Sequence, residues 1–222
     1  MRVILGAAAA ALIVTSSAWA GPISTNGAER IAESAMVLRE IRAVPDKDIP
    51  NELWDKAACV IVIPSLKKAA FIIGGEYGKG LMSCRQGAGW SAPLFMEMQK
   101  GSWGLQIGAE SIDLVMLVMN EGGVKKMLGN KVSLGADASV AAGPVGRSAT
   151  AATDGQMRAE VLSYSRAQGL FAGVDVSGGV LRPDTDDNAD LYGKTVEPHA
   201  VVRGGTIKAP VETQAFMAAL GK

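Results

Sequence analysis

The amino-acid sequence predicts an α+β domain: a curved, mainly antiparallel β-sheet or partly closed barrel, with short flanking helices and an N-terminal amphipathic helix. Several short runs alternate apolar with small or polar side chains at the period of two that marks a half-covered strand. Helical periodicity is confined to brief stretches near the ends and between the strand runs. The 27 glycines fall largely at the joints and form no low-complexity tract, which reads as turns, bulges and close sheet packing rather than disorder. Nothing has the strand–helix–strand rhythm of a parallel sheet.

Met1-Arg2 is a short positive segment, residues 3–14 are apolar, and Ala18-Trp19-Ala20 has the small-x-small form of a signal-peptidase site. Residues 1–20 therefore read as an export signal rather than a membrane span, which needs about 20 apolar residues. Residues 21–222 read as one domain, and the expected compartment is a bacterial periplasm, with the protein free or peripheral to a membrane. Gly21, not a cysteine, stands directly after the cleavage site, so a lipid anchor there is not expected.

Residues 28–42 place Ile31, Ala35, Leu38 and Ile41 on one stripe, with three glutamates and three arginines between them. Membrane-surface helices are normally rich in Lys and Arg, so the balanced charge favours docking on a core. Residues 50–56 form a short helix, and the β-branched run 59–63, closed by Pro64, forms a strand. Two more strand runs, 70–76 and 81–85, are separated by Gly78-Lys79-Gly80, which reads as a hairpin turn. Gly74, Gly78, Lys79 and Gly80 do not make a phosphate loop, because the spacing fails and no Ser or Thr is placed to hold magnesium.

Residues 103–109 alternate, with Trp103, Leu105, Ile107 and Ala109 on one face, and predict a half-covered strand. Residues 112–119 are apolar on both faces apart from Asp113 and predict the innermost strand, with a buried helix as the rival. A short helix over 121–128 ends at Gly129, with Lys125 and Lys126 suited to its C-terminal dipole. Alternation resumes over 132–140, 160–166 and 170–181, and the small, polar stretch 143–156 is the expected mobile loop. Asp184, Asp186 and Asn188 are spaced like the start of a calcium loop, but Ala189 and Thr195 stand where Gly and Glu are needed. A capped helix ending near Tyr192-Gly193 is the better reading. Residues 210–220 form a last amphipathic helix packing through Val211, Phe216, Met217 and Leu220.

Without residues 1–20 the chain has 202 residues, 21 basic and 22 acidic groups, and a formal charge of −1. Attraction of the whole molecule to nucleic acid is not expected, and any electrostatic site is local. Cys59 and Cys84 are a candidate disulfide in an oxidising compartment. A metal site is the weaker alternative, since His199 is the single histidine and no Cys-x-x-Cys occurs. A simple meander would put the two cysteines on first and third strands, too far apart to bond, so a disulfide implies neighbouring strands. His199 has no nucleophile or base pattern around it, and Asp113 and Asp137 read as acids tying loops by hydrogen bonds. No catalytic activity, cofactor or metal is expected.

Trp90-Ser91-Ala92-Pro93, Gly104-Leu105-Gln106-Ile107-Gly108 and Asp113-Leu114-Val115 occur in order. They are followed by the run from Leu134-Gly135-Ala136-Asp137 to Gly143-Pro144-Val145-Gly146-Arg147, and by Tyr164-Ser165-Arg166 through Gly173-Val174. Together they resemble the SYLF family of lipid-binding domains, whose eukaryotic members include actin-binding proteins. The resemblance spans about residues 28–193 and implies a non-catalytic domain that binds lipid. The resemblance also suggests membrane contact by the N-terminal helix, since that helix is implicated in such contact in some members. The alternative is a protein-interaction or structural domain of the cell envelope without a specific lipid.

Charge is unevenly spread. Residues 56–85 hold Lys56, Lys67, Lys68, Lys79 and Arg85 against Glu76, whereas residues 175–197 hold six acids against Arg182 and Lys194. An anionic phospholipid surface would meet the first segment, through Lys67, Lys68 and Lys79, all read as lying at turns. Arg147, in the Gly-Pro-Val-Gly-Arg stretch, is the fourth candidate. The competing reading of the lysines is that they only solubilise strand ends.

Overall fold

The computed structural model describes residues 23–41, 49–70, 73–103, 108–145, 158–167 and 170–221. Helix α1 (Thr25–Ile41) and a short α2 (Asn51–Lys56) precede two long strands, β1 (Cys59–Ala70) and β2 (Ile73–Gln86). Then come β3 (Gly89–Trp90), β4 (Leu94–Trp103), β5 (Gly108–Val118), α3 (Glu121–Met127), β6 (Val132–Ser133) and β7 (Val140–Ala142). Strands β8 (Val161–Ala167), β9 (Leu170–Gly173) and β10 (Gly179–Pro183) lead into α4 (Thr185–Tyr192) and α5 (Pro198–Arg203). A 3-10 turn at Val211–Thr213 and helix α6 (Gln214–Leu220) close the fold.

The strands make one strongly curved, mostly antiparallel sheet, a half-barrel, in the order β6-β10-β4-β2-β1-β5-β8-β7, with β3 added to β2 and β9 to β8. The expected α+β class is the one formed. β5 is an inner strand between β1 and β8, and Leu114, Val115, Met116 and Leu117 are buried on alternate faces. One face packs Ile61, Met82, Met96 and Met116 against Met127 of α3 and Val202 of α5. The opposite face packs Val62, Leu81, Phe95 and Leu117 against Leu38 of α1 and Phe216 of α6. The α1 stripe Ile31, Ala35, Leu38 and Ile41 is buried throughout, so that helix docks on the core.

The centre of the sheet corrects the expected turn at Gly78-Lys79-Gly80, because β2 runs unbroken through these residues. Its partner β1 also runs past Pro64, but its register to β2 shifts between Val62 and Lys67. Within this irregularity Ser65 has φ 51°, and its N–H donates to Asp113 Oδ1 at 2.9 Å. The glycines accommodate the irregularity: a Cβ on Gly80 would lie 1.8 Å from the Val62 carbonyl oxygen, and one on Gly78 2.7 Å from Ile63 Cγ2. They permit close strand approach, a role glycine serves in strands as well as at turns.

One long β2 in place of two short strands makes the cysteines direct cross-strand partners. Cys59 stands opposite Cys84, and they form a disulfide with Cα atoms 3.9 Å apart.

Other expected strands are divided. Trp103 ends β4 and Gly108 begins β5, which lie at different places in the sheet, and residues 104–107 fall outside the described residues. The run 132–140 breaks at Gly135, φ 89°, where Asp137 Oδ2 accepts the Ser133 N–H at 2.7 Å. The run 170–181 becomes β9 and β10, separated by a turn in which Asp175 Oδ1 accepts from the Ser177 N–H and hydroxyl. Val211 is 67% exposed and does not pack as expected. Most of the expected mobile loop 143–156, namely residues 146–156 with Arg147, lies outside the described residues.

Candidate functional site

On the face carrying α1, the buried apolar rows end at Leu81, Phe95 and Val115, and the next residues on that face of the strands are Lys79, Glu97 and Asp113. Register sets Lys79 opposite Glu97, Glu97 opposite Arg182, and Asp113 opposite Arg166. The result is an ionic belt where the core stops. Lys79 Nζ lies 2.5 Å from Asp184 Oδ2 and 3.2 Å from Asp187 Oδ2, and Arg30 of α1 reaches Asp187 Oδ2 at 2.6 Å. Arg182 pairs with Glu97, to which the Tyr77 hydroxyl also donates. Arg166 Nη2 is 2.6 Å from Asp113 and also pairs with Glu40 of α1.

The two acids facing Lys79 come from the start of α4, where Asp184 is the N-cap and accepts the Asp187 N–H, while Gly193 in the left-handed region ends the helix. This is the capped helix expected from the sequence. Asp184 is nearly buried, and burial alone would raise its pKa. Hydrogen bonds from Lys79 and the Asp187 amide outweigh that and hold it below the usual carboxylate range. Asp187 goes the other way, raised by burial and then by the charge of Asp184. Lys79 is raised, its own desolvation being outweighed by hydrogen bonds to both aspartates.

Lys79→Met leaves the Asp184 carboxylate without its cation. The expected loss is about 2 kcal/mol, less than for a wholly enclosed pair because Lys79 is partly open to solvent. Asp184, depressed in the folded state, contributes stability above its unfolded pKa that is lost as pH falls through its lower folded value. Asp187, raised, works with the opposite sign. Denaturant titrations from about pH 7 down to about pH 3 should show a shallower acid-side loss in the variant. Superimposable pH profiles would refute the pairing.

The four candidate cations separate. Lys79, expected at a turn, sits mid-strand beside Asp184 and Asp187, so the positive and negative segments of the sequence meet here and are partly neutralised. Lys67 is exposed, makes no ion pair among the described residues, and lines a cleft of about 450 Å³ with Arg30, Tyr77 and Lys79. Lys68, next on β1, faces the other way with Nζ 3.8 Å from Glu76 Oε1. Arg147 is outside the described residues. The sequence reading missed Arg30 and Glu97, whose partners are far along the chain, and α5, for which Pro198 at the first helical position was the available signal.

The class defined by these features is an α+β half-barrel, closed on one face by α1 and α6 and bounded by an ionic belt. The chain belongs to the SYLF family: residues 99–222 match the Ysc84 family, described as Las17-binding protein actin regulator. It is similar to SH3 domain-containing YSC84-like protein 1 of Xenopus laevis, with 30% identity over 87% of this chain and 59% of that protein. The Homo sapiens protein of the same name is 30% identical over 83% of this chain and 56% of its own length. LAS seventeen-binding protein 3 of Saccharomyces cerevisiae (strain ATCC 204508 / S288c) is 34% identical over 72% of this chain and 35% of that protein. The chain thus spans less than two thirds of each of these relatives. Their names denote binding or domain-bearing proteins, and none of the three names an enzyme.

Proposed function

We propose that this chain is a non-catalytic, exported domain of the cell envelope that contacts anionic phospholipid through Lys67 and Lys68. The observation that supports this most is their placement: consecutive on β1, on opposite faces, just beyond the buried Leu66. Lys67 has no carboxylate partner among the described residues, and Lys68 has a long pairing to Glu76. Each cation brought to an anionic surface contributes about 1 kcal/mol. Lys79 adds to the local charge but is already held by Asp184 and Asp187.

Changing Lys67 and Lys68 together to Glu should weaken sedimentation with vesicles rich in phosphatidylglycerol by tenfold or more at low salt, about 1.4 kcal/mol. Thermal stability should change little, since exposed ion pairs contribute about 0 to 1 kcal/mol. Unchanged binding at low salt counts against these two lysines. A protein-interaction domain, to which the names of the Las17-binding relatives point, would not sediment with vesicles in the absence of a protein partner. The export reading has its own check: protein from a secreting host should begin at Gly21, and retention of Met1 would end it.

A further inference from the structure

Beyond the ionic belt, the α1 face of the sheet runs on over β2, β4 and β10. Cross-strand register carries the row Lys79, Glu97 and Arg182 into the row Tyr77, Gln99 and Val180, and then into the pair Gly75 and Gly101. These last two rows and Lys131, just before β6, line a cleft of about 630 Å³, with Glu97 and Arg182 at its belt end. No helix contributes to the lining, and all of it lies within the described residues. The volume is that of a small-molecule site, which typically holds about 300 to 1,000 Å³.

The floor of the cleft is apolar and open. The Tyr77 ring is 44% exposed. A Cβ on Gly101 would meet nothing within 4 Å, and one on Gly75 would meet the Lys100 carbonyl oxygen at an ordinary 3.6 Å. Bare backbone therefore lies beside the ring. The rim is polar and of both signs. Glu97 is buried and paired with Arg182, whose side chain is 53% exposed and keeps donors to spare. Lys131 is exposed and makes no ion pair among the described residues, and the exposed Gln99 amide offers both donors and an acceptor.

An apolar floor inside a rim of mixed donors and acceptors is complementary to a sugar ring. One face of a pyranose presents C–H groups, which suit the negative face of an aromatic ring. Its hydroxyls each donate and accept, so carboxylate, amide and guanidinium all find partners. A compact anion such as phosphate fits worse, because Glu76 and Glu97 also line the cleft and repel it. An acyl chain would strip water from the rim without replacing its hydrogen bonds. We infer that this cleft binds a saccharide, with Tyr77 as the platform, Gln99 and Arg182 on its hydroxyls, and Lys131 beside an acidic substituent where the sugar carries one. This binding goes beyond the lipid contact through Lys67 and Lys68 and does not depend on it.

The test titrates the isotope-labelled chain, without lipid, with maltotriose, chitotriose or trigalacturonate at millimolar concentration. Amide resonances of 75–77, 99–101 and 178–182 should shift and saturate with at least one of these sugars, while those of α3 and α5 on the opposite face stay in place. Tyr77→Ala should weaken that binding about tenfold, whereas Tyr77→Phe, which keeps the ring, should retain it. Gly101→Leu should abolish binding by filling the floor, with a melting temperature near that of the parent. If Gly101→Leu does lower the melting temperature, Tyr77→Ala decides. Absence of a saturable shift with any of these saccharides overturns the inference, and so does binding that Tyr77→Ala leaves unchanged. Equal shifts with inorganic phosphate overturn it as well and make the cleft an anion site. Vesicle sedimentation of the same variants is read separately, so the lipid contact and the saccharide site can each fail alone.

Discussion

Gly80→Ala is expected to cost about 4 kcal/mol of stability, at the upper end of what single substitutions do. The added methyl carbon would lie 1.8 Å from the Val62 carbonyl oxygen and 2.7 Å from the Ile63 Cα. Both obstacles are backbone atoms of the neighbouring strand, so no side-chain rotation relieves the clash. Val62 and Ile63 are wholly buried, which leaves β1 no free direction in which to move. Ordinary overpacking costs about 1 to 3 kcal/mol because side chains share the adjustment. Here the sheet itself must shift. For a domain of this size the melting temperature should fall by on the order of 10 °C. Gly89→Ala is the control, since a Cβ there meets nothing within 4 Å, and it should be near neutral. A Gly80→Ala protein within about 1 kcal/mol of the parent would refute the irregular approach of β1 to β2.

Replacing Cys59 and Cys84 together by Ala should remove about 3.5 kcal/mol, the chain-entropy value for a cross-link between residues 25 positions apart. Both residues are fully buried in the core, and Ala avoids placing a hydroxyl there. Denaturant midpoints of the parent with and without reductant should bracket the same difference. Alkylation under denaturing conditions should add no mass to the oxidised protein and two labels after reduction. Two free thiols in exported protein would remove the bond, though not the pairing of β1 with β2.

Most helices and the inner strand were legible because their signals are local. Asp184 before Thr185 and Gly193 after Tyr192 mark the ends of α4 by side-chain and backbone chemistry that lies within the helix itself. Apart from Asp113, residues 112–118 are apolar on both faces, which suits a strand covered on both sides. Gly78-Lys79-Gly80 misled because glycine marks turns and close backbone contact alike, and what distinguishes them here is the displaced register of a different strand. Gly135 misled in reverse: alternation continued across a residue whose positive φ turns the chain. The charge asymmetry between residues 56–85 and 175–197 was visible, but its partial neutralisation was not, since Lys79 and Asp184 are adjacent only after folding.

The seating of β10 between β6 and β4, together with the packing of α6 on α1, also governs the order in which this domain can assemble. Contacts joining distant parts of a chain form slowly, because the intervening loop must close before any pairing compensates for it. During synthesis the apolar stripe of α1 has no α6 to meet, and the outer edge of β4 lies open until Gly179–Pro183 arrives. Such an edge recruits other strands. Chains halted before residue 179 should therefore aggregate or hold a chaperone, and productive collapse should await the segment that carries β10 through α6.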